Sequence, residues 1–205
     1  MNTQNSVTKT RRRGCELEEA IFGAAREELC SKGLLAFSIE RVAELSCTSK
    51  ASIYRRWPNK TELVIAAVEP LLPRIKVPDQ SSDLTNDLIS AARSVVEGFN
   101  APSGKIALAL ILESRRKDEL RELVDKRIAE PRRMIFRNIM EQHQSQLALD
   151  KQELNRVGDL IPSLIIHAAL ANGLPINEDL PEEIVINLVT PLIHGIQSLK
   201  AKEPN

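Results

Sequence analysis

The chain has 205 residues with 28 Lys and Arg against 28 Asp and Glu, and 42% of its residues are hydrophobic, as in an ordinary globular protein. No apolar stretch approaches the roughly 18 residues that a membrane helix needs, and the basic N-terminus lacks the apolar core of a signal peptide. The three cysteines, Cys15, Cys30 and Cys47, have neither disulfide nor metal-ligand spacing. We therefore expect a cytoplasmic protein with no membrane span, no metal and no cofactor.

The N-terminal quarter predicts four helices. The first is expected over 16–32, where apolar residues recur on one face, and Gly33 ends it. The polar stretch 1–13 before it forms a basic arm that is disordered when free. The three later helices each begin after side chains of the capping type: Ser38, then Thr48 or Ser49, then Asn59 with Glu62.

A larger helical body is expected after these four helices. Three prolines between positions 70 and 78 and the polar stretch 79–82 mark a boundary, which divides a module over 14–69 from a body over 70–205. No sustained alternating pattern of strands appears, so the fold class is all-α. The body predicts five helices, over 83–100, 104–114, 117–145, 151–172 and 181–200. Three of these spans contain a proline that should kink or divide the helix: Pro131, Pro162 and Pro191.

Charge is distributed unevenly between these parts. Residues 1–60 hold eleven Lys and Arg and seven Asp and Glu, a net charge of +4, so the remainder carries −4. A basic end on an acidic body is expected of a chain that presents this end to a polyanion. Charged surface is common, however, so this asymmetry alone is weak evidence for a nucleic-acid partner.

The stretch from Ser38 to Trp57 indicates the function. It describes two short helices joined by a tight turn, and the second helix is rich in Ser, Lys and Arg. A helix fits the major groove of DNA, where its N-terminal residues reach base edges while the preceding helix crosses the backbone. A small residue such as Ala51 lets the helix approach the bases closely, and Arg55 and Arg56 can pair with phosphate or guanine.

This segment resembles the DNA-binding domain of the TetR family of bacterial regulators. The match covers about forty residues, which makes it far more specific than a generic helix-turn-helix. One departure lies in the turn, where the family has glycine and a β-branched residue and this chain has Cys47 and Thr48. Cysteine at positive φ costs roughly 1 kcal/mol, so the fine geometry of the turn is open. The matching residues are Ala24, Ala25, Leu29, Gly33, Ser38, Val42, Ala43, Ser49, Ile53, Tyr54, Trp57, Lys60 and Leu63.

The resemblance implies a set of DNA contacts. Tyr54 and Lys60 match phosphate-binding positions, the alternatives being a core tyrosine and a solvated lysine. Ser38 caps its helix and touches phosphate, or only caps. Lys50 and Ser52 face outward and are candidates for base contacts. The two arginines after them bind the DNA backbone, unless one of them is merely solvated. The basic arm enters the minor groove or makes no contact with DNA. The expected DNA-binding residues are Ser38, Thr48, Ser49, Lys50, Ser52, Tyr54, Arg55, Arg56 and Lys60.

For the body, the resemblance implies a helical regulatory domain that dimerises through its last two helices and often holds a small-molecule effector. The apolar faces of the last two predicted helices agree with a four-helix dimer interface, and a monomer core is the alternative. The expected interface residues are Leu164, Ile165, Ala168, Leu188, Leu192 and Ile196. An aliphatic pocket would suit a small apolar effector, although ordinary core explains the same residues: Phe99, Leu108, Ile111, Leu112, Phe136 and Met140.

The sequence thus predicts a repressor that binds a palindromic operator as a homodimer and is released by an effector. An enzyme finds no support, because nucleophile elbow, phosphate loop and paired histidine ligands are absent, and His143, His167 and His194 are dispersed. The mixed-charge stretch 113–133 is interpreted as a solvated helix face. A protein–protein adaptor that reuses the fold without DNA is the remaining alternative, against which the basic face argues.

Overall fold

The computed structural model describes residues 14–72, 74–75 and 83–202, and no strand occurs within them. The all-α fold class is confirmed. Contacts along the chain separate two compact units between Ala67 and Val68. The domain bounds expected from the sequence stay a prediction, and the basic arm over 1–13 lies outside the described residues.

The described part of the first unit contains four helices whose caps are those expected. The Ser38 hydroxyl accepts a hydrogen bond from the Arg41 amide at 3.3 Å, and the Ser49 hydroxyl accepts one from the Ser52 amide at 3.2 Å. These caps satisfy amide groups that the first helical turn leaves without a partner. The helices are α1 (Cys15–Lys32), α2 (Ile39–Leu45), α3 (Lys50–Tyr54) and α4 (Lys60–Val68).

The core of this unit holds its helices together through one large apolar contact. Trp57 is buried and its ring lies 5.2 Å from that of Phe22, with the two planes inclined at 52°. Such tilted pairs are a favoured aromatic geometry. Trp57 therefore packs between helices. Each helix also contributes a side chain with no exposed surface: Ile21, Val42, Ile53 and Leu63.

The second unit contains eight helices in its described part. A short 3-10 turn precedes them at Glu69–Leu71. The helices are α5 (Leu84–Asn100), α6 (Gly104–Ser114), α7 (Asp118–Val124), α8 (Glu130–Gln142), α9 (Gln144–Leu147), α10 (Lys151–Asn172), α11 (Leu180–Ile184) and α12 (Thr190–Lys200). No single helix of the described residues is long and apolar enough to cross a membrane, and α5 with α6 meet that criterion only as a pair bent by 93°.

Two of the predicted proline breaks take the form of a π-helical turn. A turn over Asp125–Ala129 joins α7 to α8 just before Pro131, and another over Val185–Val189 joins α11 to α12 just before Pro191. Proline cannot donate a hydrogen bond, and its ring clashes with the carbonyl four residues earlier. Bonding to the fifth residue back widens the turn and relieves this clash. The third proline, Pro162, lies inside α10, which continues through it.

Helix α10 is central to the core of the second unit and packs against α8. Gly158 permits the close approach, since a Cβ atom there would lie 3.2 Å from the carbonyl carbon of Phe136. Next to this contact, the Arg137 guanidinium donates two hydrogen bonds to the Asp159 carboxylate, at 2.8 and 2.6 Å. The bidentate pair fixes the register of α8 on α10.

One polar pair is enclosed in this core. The His143 Nε2 atom lies 3.0 Å from the Asp87 carboxylate, and both side chains are at most 6% exposed. A buried polar group needs a partner, because each left alone would bear a desolvation cost. The pair therefore ties the end of α8 to α5.

Candidate functional site

The turn between α2 and α3 keeps a left-handed residue although that residue is not glycine. Cys47 has φ of 52°. Its amide donates to the Glu44 carbonyl at 3.1 Å, and the amide of Thr48 donates to the Ala43 carbonyl at 2.9 Å. These are the two hydrogen bonds of the Schellman motif, which ends a helix and reverses the chain. The tight turn expected from the resemblance is therefore formed, with cysteine in the strained position.

Helix α3 has an inner and an outer side. Ile53 has no exposed surface, whereas Lys50, Ala51, Tyr54 and Arg55 are exposed, with Tyr54 at 47%. Positions separated by four residues lie on one face of a helix, so these four side chains form one outward surface. On this surface, the small side chain of Ala51 is surrounded by side chains that donate hydrogen bonds. We call these four residues the α3 face.

Helix α2 supplies an acidic neighbour to the α3 face. The Lys50 ammonium lies 3.0 Å from the Glu40 carboxylate, which also accepts a hydrogen bond from the Ser38 hydroxyl at 3.0 Å. The hydrogen bond from Lys50, and then those from the backbone and Ser38, lower the pKa of Glu40 to about 2, while the pair raises the pKa of Lys50. In the free protein, one predicted DNA contact is thus engaged by a carboxylate.

The other predicted DNA-binding residues differ in their exposure. Ser52 is half-buried rather than outward, and its hydroxyl accepts a hydrogen bond from Arg56 at 3.2 Å. The Lys60 ammonium donates to the Phe37 carbonyl at 3.2 Å, in the segment that precedes α2. Arg55 is exposed and has no ion pair within the described residues. Among the predicted DNA-binding residues, Arg55 is therefore the cation most available to an incoming phosphate.

Comparison with known proteins agrees with this geometry. A family model described as "Bacterial regulatory proteins, tetR family" matches residues 21–67, and one described as "Tetracyclin repressor-like, C-terminal domain" matches residues 77–188. The chain belongs to the TetR family. It is a DNA-binding transcriptional regulator with a helix-turn-helix.

Individual relatives cover either most of the chain or a shorter part of it. The chain is similar to the HTH-type transcriptional regulator YdeS of Bacillus subtilis, with 26% identity over 90% of this chain and 92% of the relative. It is 42% identical over 57 residues, or 28% of this chain and 30% of the relative, to the DNA-binding transcriptional repressor TetR of Mycobacteroides abscessus. The crystal structure of the TetR family regulator SCO0332 shares the fold, with a TM-score of 0.62, 23% identity, and 85% and 97% of the two chains covered.

Regulators of the TetR family bind operator DNA and typically act as dimers. In this member, the apolar side chains of the last helices are divided between the core and the outer surface. Ile184, Val189 and Ile193 are buried in the core, whereas Leu188 is 53% and Leu192 is 40% exposed. Further exposed apolar residues on α10, the second π turn and α12 are Leu160, Leu170, Ile186 and Leu199.

One residue expected at the dimer interface of this TetR-family regulator is unavailable to a partner. Ile165 has no exposed surface and belongs to the core, so the prediction is wrong for this position. It lies one helical turn from Ile161, which is also wholly buried, and both point inward. The other α10 residues of the prediction, Leu164 and Ala168, are half-buried.

The second unit of the regulator contains a cavity of about 380 Å³ between α5, α6, the α7–α8 segment and α10. Known small-molecule sites have volumes of roughly 300–1,000 Å³. Of the predicted pocket residues, Phe99 and Ile111 line this cavity. The other four do not line it: Leu108 packs against the core, Leu112 is 52% exposed, and Phe136 and Met140 are wholly buried. Their assignment to an effector site stays a prediction.

The cavity also has a charged wall, which sequence reasoning missed. Its residues are Arg115, Arg121, Asp125, Arg132 and Arg133. All five fall in the stretch 113–133, which was interpreted as a solvated helix face. Three of them are exposed as that interpretation expects, whereas Arg132 and Arg133 are half-buried. A signal was present for Arg132, since it stands one turn from both Ile128 and Phe136, and these lie on the buried side of the helix.

Proposed function

We propose that this TetR-family regulator is a repressor that binds a palindromic operator as a homodimer and releases it when a small-molecule effector occupies the cavity of the second unit. The α3 face carries the proposal, because it offers donors to the major groove around a small residue. The 42% identity over 57 residues to a protein named as a repressor supports this direction of control.

The α3 face makes the central contacts with DNA. Lys50 lies in the first turn of α3, from which a recognition helix reaches base edges, so we assign it a base contact. Tyr54 and Arg55 lie one turn later and donate to phosphates. Binding requires Lys50 to exchange the Glu40 carboxylate for DNA, a step that favours sequences offering good acceptors.

The remaining contacts surround this face. Ser38, Thr48 and Ser49 lie at the N-terminal ends of α2 and α3, where free amide groups and the helix dipole favour phosphate. Arg56 and Lys60 flank the C-terminal end of α3 as further phosphate ligands. Ser52 acts indirectly, because its hydroxyl accepts a hydrogen bond from the Arg56 guanidinium and so helps to position it.

The homodimer buries the outward apolar side chains of the last helices. Residues such as Leu188 and Leu192 leave hydrocarbon in contact with water in the single chain. Contiguous apolar surface of this kind marks interaction sites. With a two-fold axis, α10, α12 and their symmetry mates form a four-helix interface. Two recognition helices then bind half-sites about 34–36 Å apart.

Effector control follows from linkage between the two sites. An effector lowers operator affinity to the extent that it binds better to the conformation that does not fit DNA. The cavity has the size and the mainly apolar wall of such a site. Bound to its operator, the dimer blocks transcription of the adjacent gene.

Selection from a randomised DNA pool tests this proposal. The full-length protein is incubated with the pool at moderate salt, and the retained DNA is sequenced. We expect enrichment of an inverted repeat with half-sites about one helical turn apart. Binding without enrichment, lost as salt rises, would contradict sequence-specific recognition and favour the adaptor alternative.

Variants then test the assigned contacts on the selected operator. Arg55→Ala should reduce the slope of log K against log salt by about two units, because the dimer loses two phosphate contacts. Tyr54→Phe and Lys60→Ala should lower affinity. The matched control is Arg116→Ala, which removes an exposed arginine of the second unit. Equal salt slopes for Arg55→Ala and this control would overturn the phosphate assignment.

A further inference from the structure

The charged wall of the cavity contains arginines in two different states. Arg133 is neutralised by Asp125 at 2.7 Å and by Glu130 at 2.6 Å, and Arg121 lies 2.9 Å from the Asp118 carboxylate. These ion pairs satisfy the guanidinium groups within the protein. Any ligand would have to compete with the carboxylates for them.

Arg132 has no such partner. Its guanidinium donates one hydrogen bond, to the Ile128 carbonyl at 2.7 Å, and within the described residues no carboxylate lies at ion-pair distance. Burial lowers the pKa of Arg132, while the attraction of Glu69 opposes this shift. Since arginine remains protonated in proteins, the cavity wall holds a partly desolvated positive charge with donors to spare.

A second cation accompanies Arg132. Arg115 also lines the cavity, is exposed, and has no ion pair within the described residues. The rest of the wall is largely hydrocarbon, from residues such as Val95, Ile111 and Ile166. The site therefore combines an aliphatic surface with two available guanidinium groups. A neutral apolar ligand would cover Arg132 and leave its charge both dehydrated and unpaired, at a cost in affinity.

We propose that the effector is an organic anion with an apolar body, whose carboxylate is bound by Arg132 and Arg115 while the body lies against the aliphatic wall. Guanidinium and carboxylate groups form paired, charge-assisted hydrogen bonds. This inference rests on the proposed function, in which a small molecule in this cavity controls operator binding. It replaces the purely apolar effector that the sequence suggested.

Paired probes that differ in charge test the inference. Hexanoate, octanoate, decanoate, dodecanoate and phenylpropanoate are each compared with the primary alcohol of the same carbon skeleton. Binding to the full-length protein is measured by isothermal titration calorimetry. We expect at least one carboxylate to bind at least about tenfold more tightly than its alcohol, because it gains charge-assisted hydrogen bonds. If no carboxylate exceeds its alcohol, the inference is overturned.

Substitutions assign the preference to Arg132. Arg132→Gln should lower carboxylate affinity towards that of the alcohol, while Arg132→Lys should retain more of it, since lysine keeps the charge without the fork. Arg116→Gln is the control, because this arginine is exposed and lies outside the cavity wall. If Arg132 had a purely structural role, its substitution would weaken the binding of carboxylate and alcohol alike. An unchanged ratio of carboxylate affinity to alcohol affinity in Arg132→Gln would therefore refute the assignment.

Operator binding separates this inference from the function on which it rests. Fluorescence anisotropy with the selected operator is recorded while the best carboxylate is added. A carboxylate that binds through Arg132 but leaves operator affinity unchanged would support the anion site and contradict effector release. Release of the operator by a neutral apolar compound, without an effect of any carboxylate, would support effector release and overturn the anion site.

Discussion

The outward apolar side chains of the last helices lead to a sharp prediction about assembly. Leu188→Glu should convert the dimer to a monomer at concentrations where the unchanged protein is dimeric. The side chain is 53% exposed in the single chain, so the substitution removes no large part of the core. Its effect should therefore fall on association rather than on folding.

The size of the effect follows from the exposed fraction. Complete burial of a leucine contributes about 1.5–3 kcal/mol, so the half that Leu188 leaves for a partner contributes roughly 1 kcal/mol. Because the interface is two-fold symmetric, Leu188 of both subunits is replaced and the loss occurs twice. The resulting loss of about 2 kcal/mol raises the dimer dissociation constant about 30-fold, and the desolvation of two glutamates adds to it.

A matched substitution distinguishes this effect from a general one. Leu112 is 52% exposed in the same unit but lies on α6, which is not part of the proposed interface. Sedimentation equilibrium over a concentration series should give a weakened dimer for Leu188→Glu and an unchanged one for Leu112→Glu. Equal dissociation constants for the two variants would refute the assigned interface.

Four further predictions concern stability and DNA affinity. Cys47→Gly should raise the free energy of unfolding by about 0.5–1 kcal/mol in urea titrations, since the penalty for a left-handed residue exceeds the entropy that glycine adds to the unfolded chain; a loss would contradict the strain argument. Asp87→Ala should cost about 1–3 kcal/mol in the same assay by leaving a buried nitrogen of His143 without its hydrogen-bond partner, and an unchanged free energy of unfolding would argue against the pair. Glu40→Gln should strengthen operator binding in anisotropy titrations at neutral pH, because it frees Lys50, and unchanged affinity would show that the pair does not compete with DNA. The pKa of Glu40 is about 2 in the folded protein against an ordinary 4.5, so its ion pair stabilises the fold fully above pH 4.5, and this stabilisation is lost as the pH falls towards 2. Acid titration of Glu40→Gln should lack this loss of stability.

The first unit could be predicted closely because its information is local. The capping side chains Ser38 and Ser49 and the buried Ile53 follow from short sequence patterns. The sequence left the geometry of the turn at Cys47 open, because cysteine stands there in place of the family's glycine, and the positive φ is known only from the structure. Ser52 differed, because a five-residue helix has too few turns for periodicity to separate outward from half-buried positions.

The second unit was predictable in its helices but less so in its faces. On α10, apolar residues surround the helix, so the sequence could not tell that Ile165 points to the core and Leu160 to solvent. The cavity depends on which helices meet, and this information is not local. Arg132 was assigned to solvent because its neighbours are charged, although only its side of the helix lines the cavity.

The π turn before Pro131 has a consequence for helical phase. From residue 120 to residue 140 the inward positions of α7 and α8 recur every four residues: Leu120, Val124, Ile128, Arg132, Phe136 and Met140. At 3.6 residues per turn, residues spaced four apart rotate around the helix axis by about 40° per step, or about 200° over the five steps of this row. The π turn accommodates one extra residue and so reduces the total rotation to about 100°. This angle equals the width of one apolar helix face. Loss of one residue between Asp125 and Ala129 would therefore leave Phe136 and Met140 directed at the core. The same loss within α8 would swing every later side chain by about 100°.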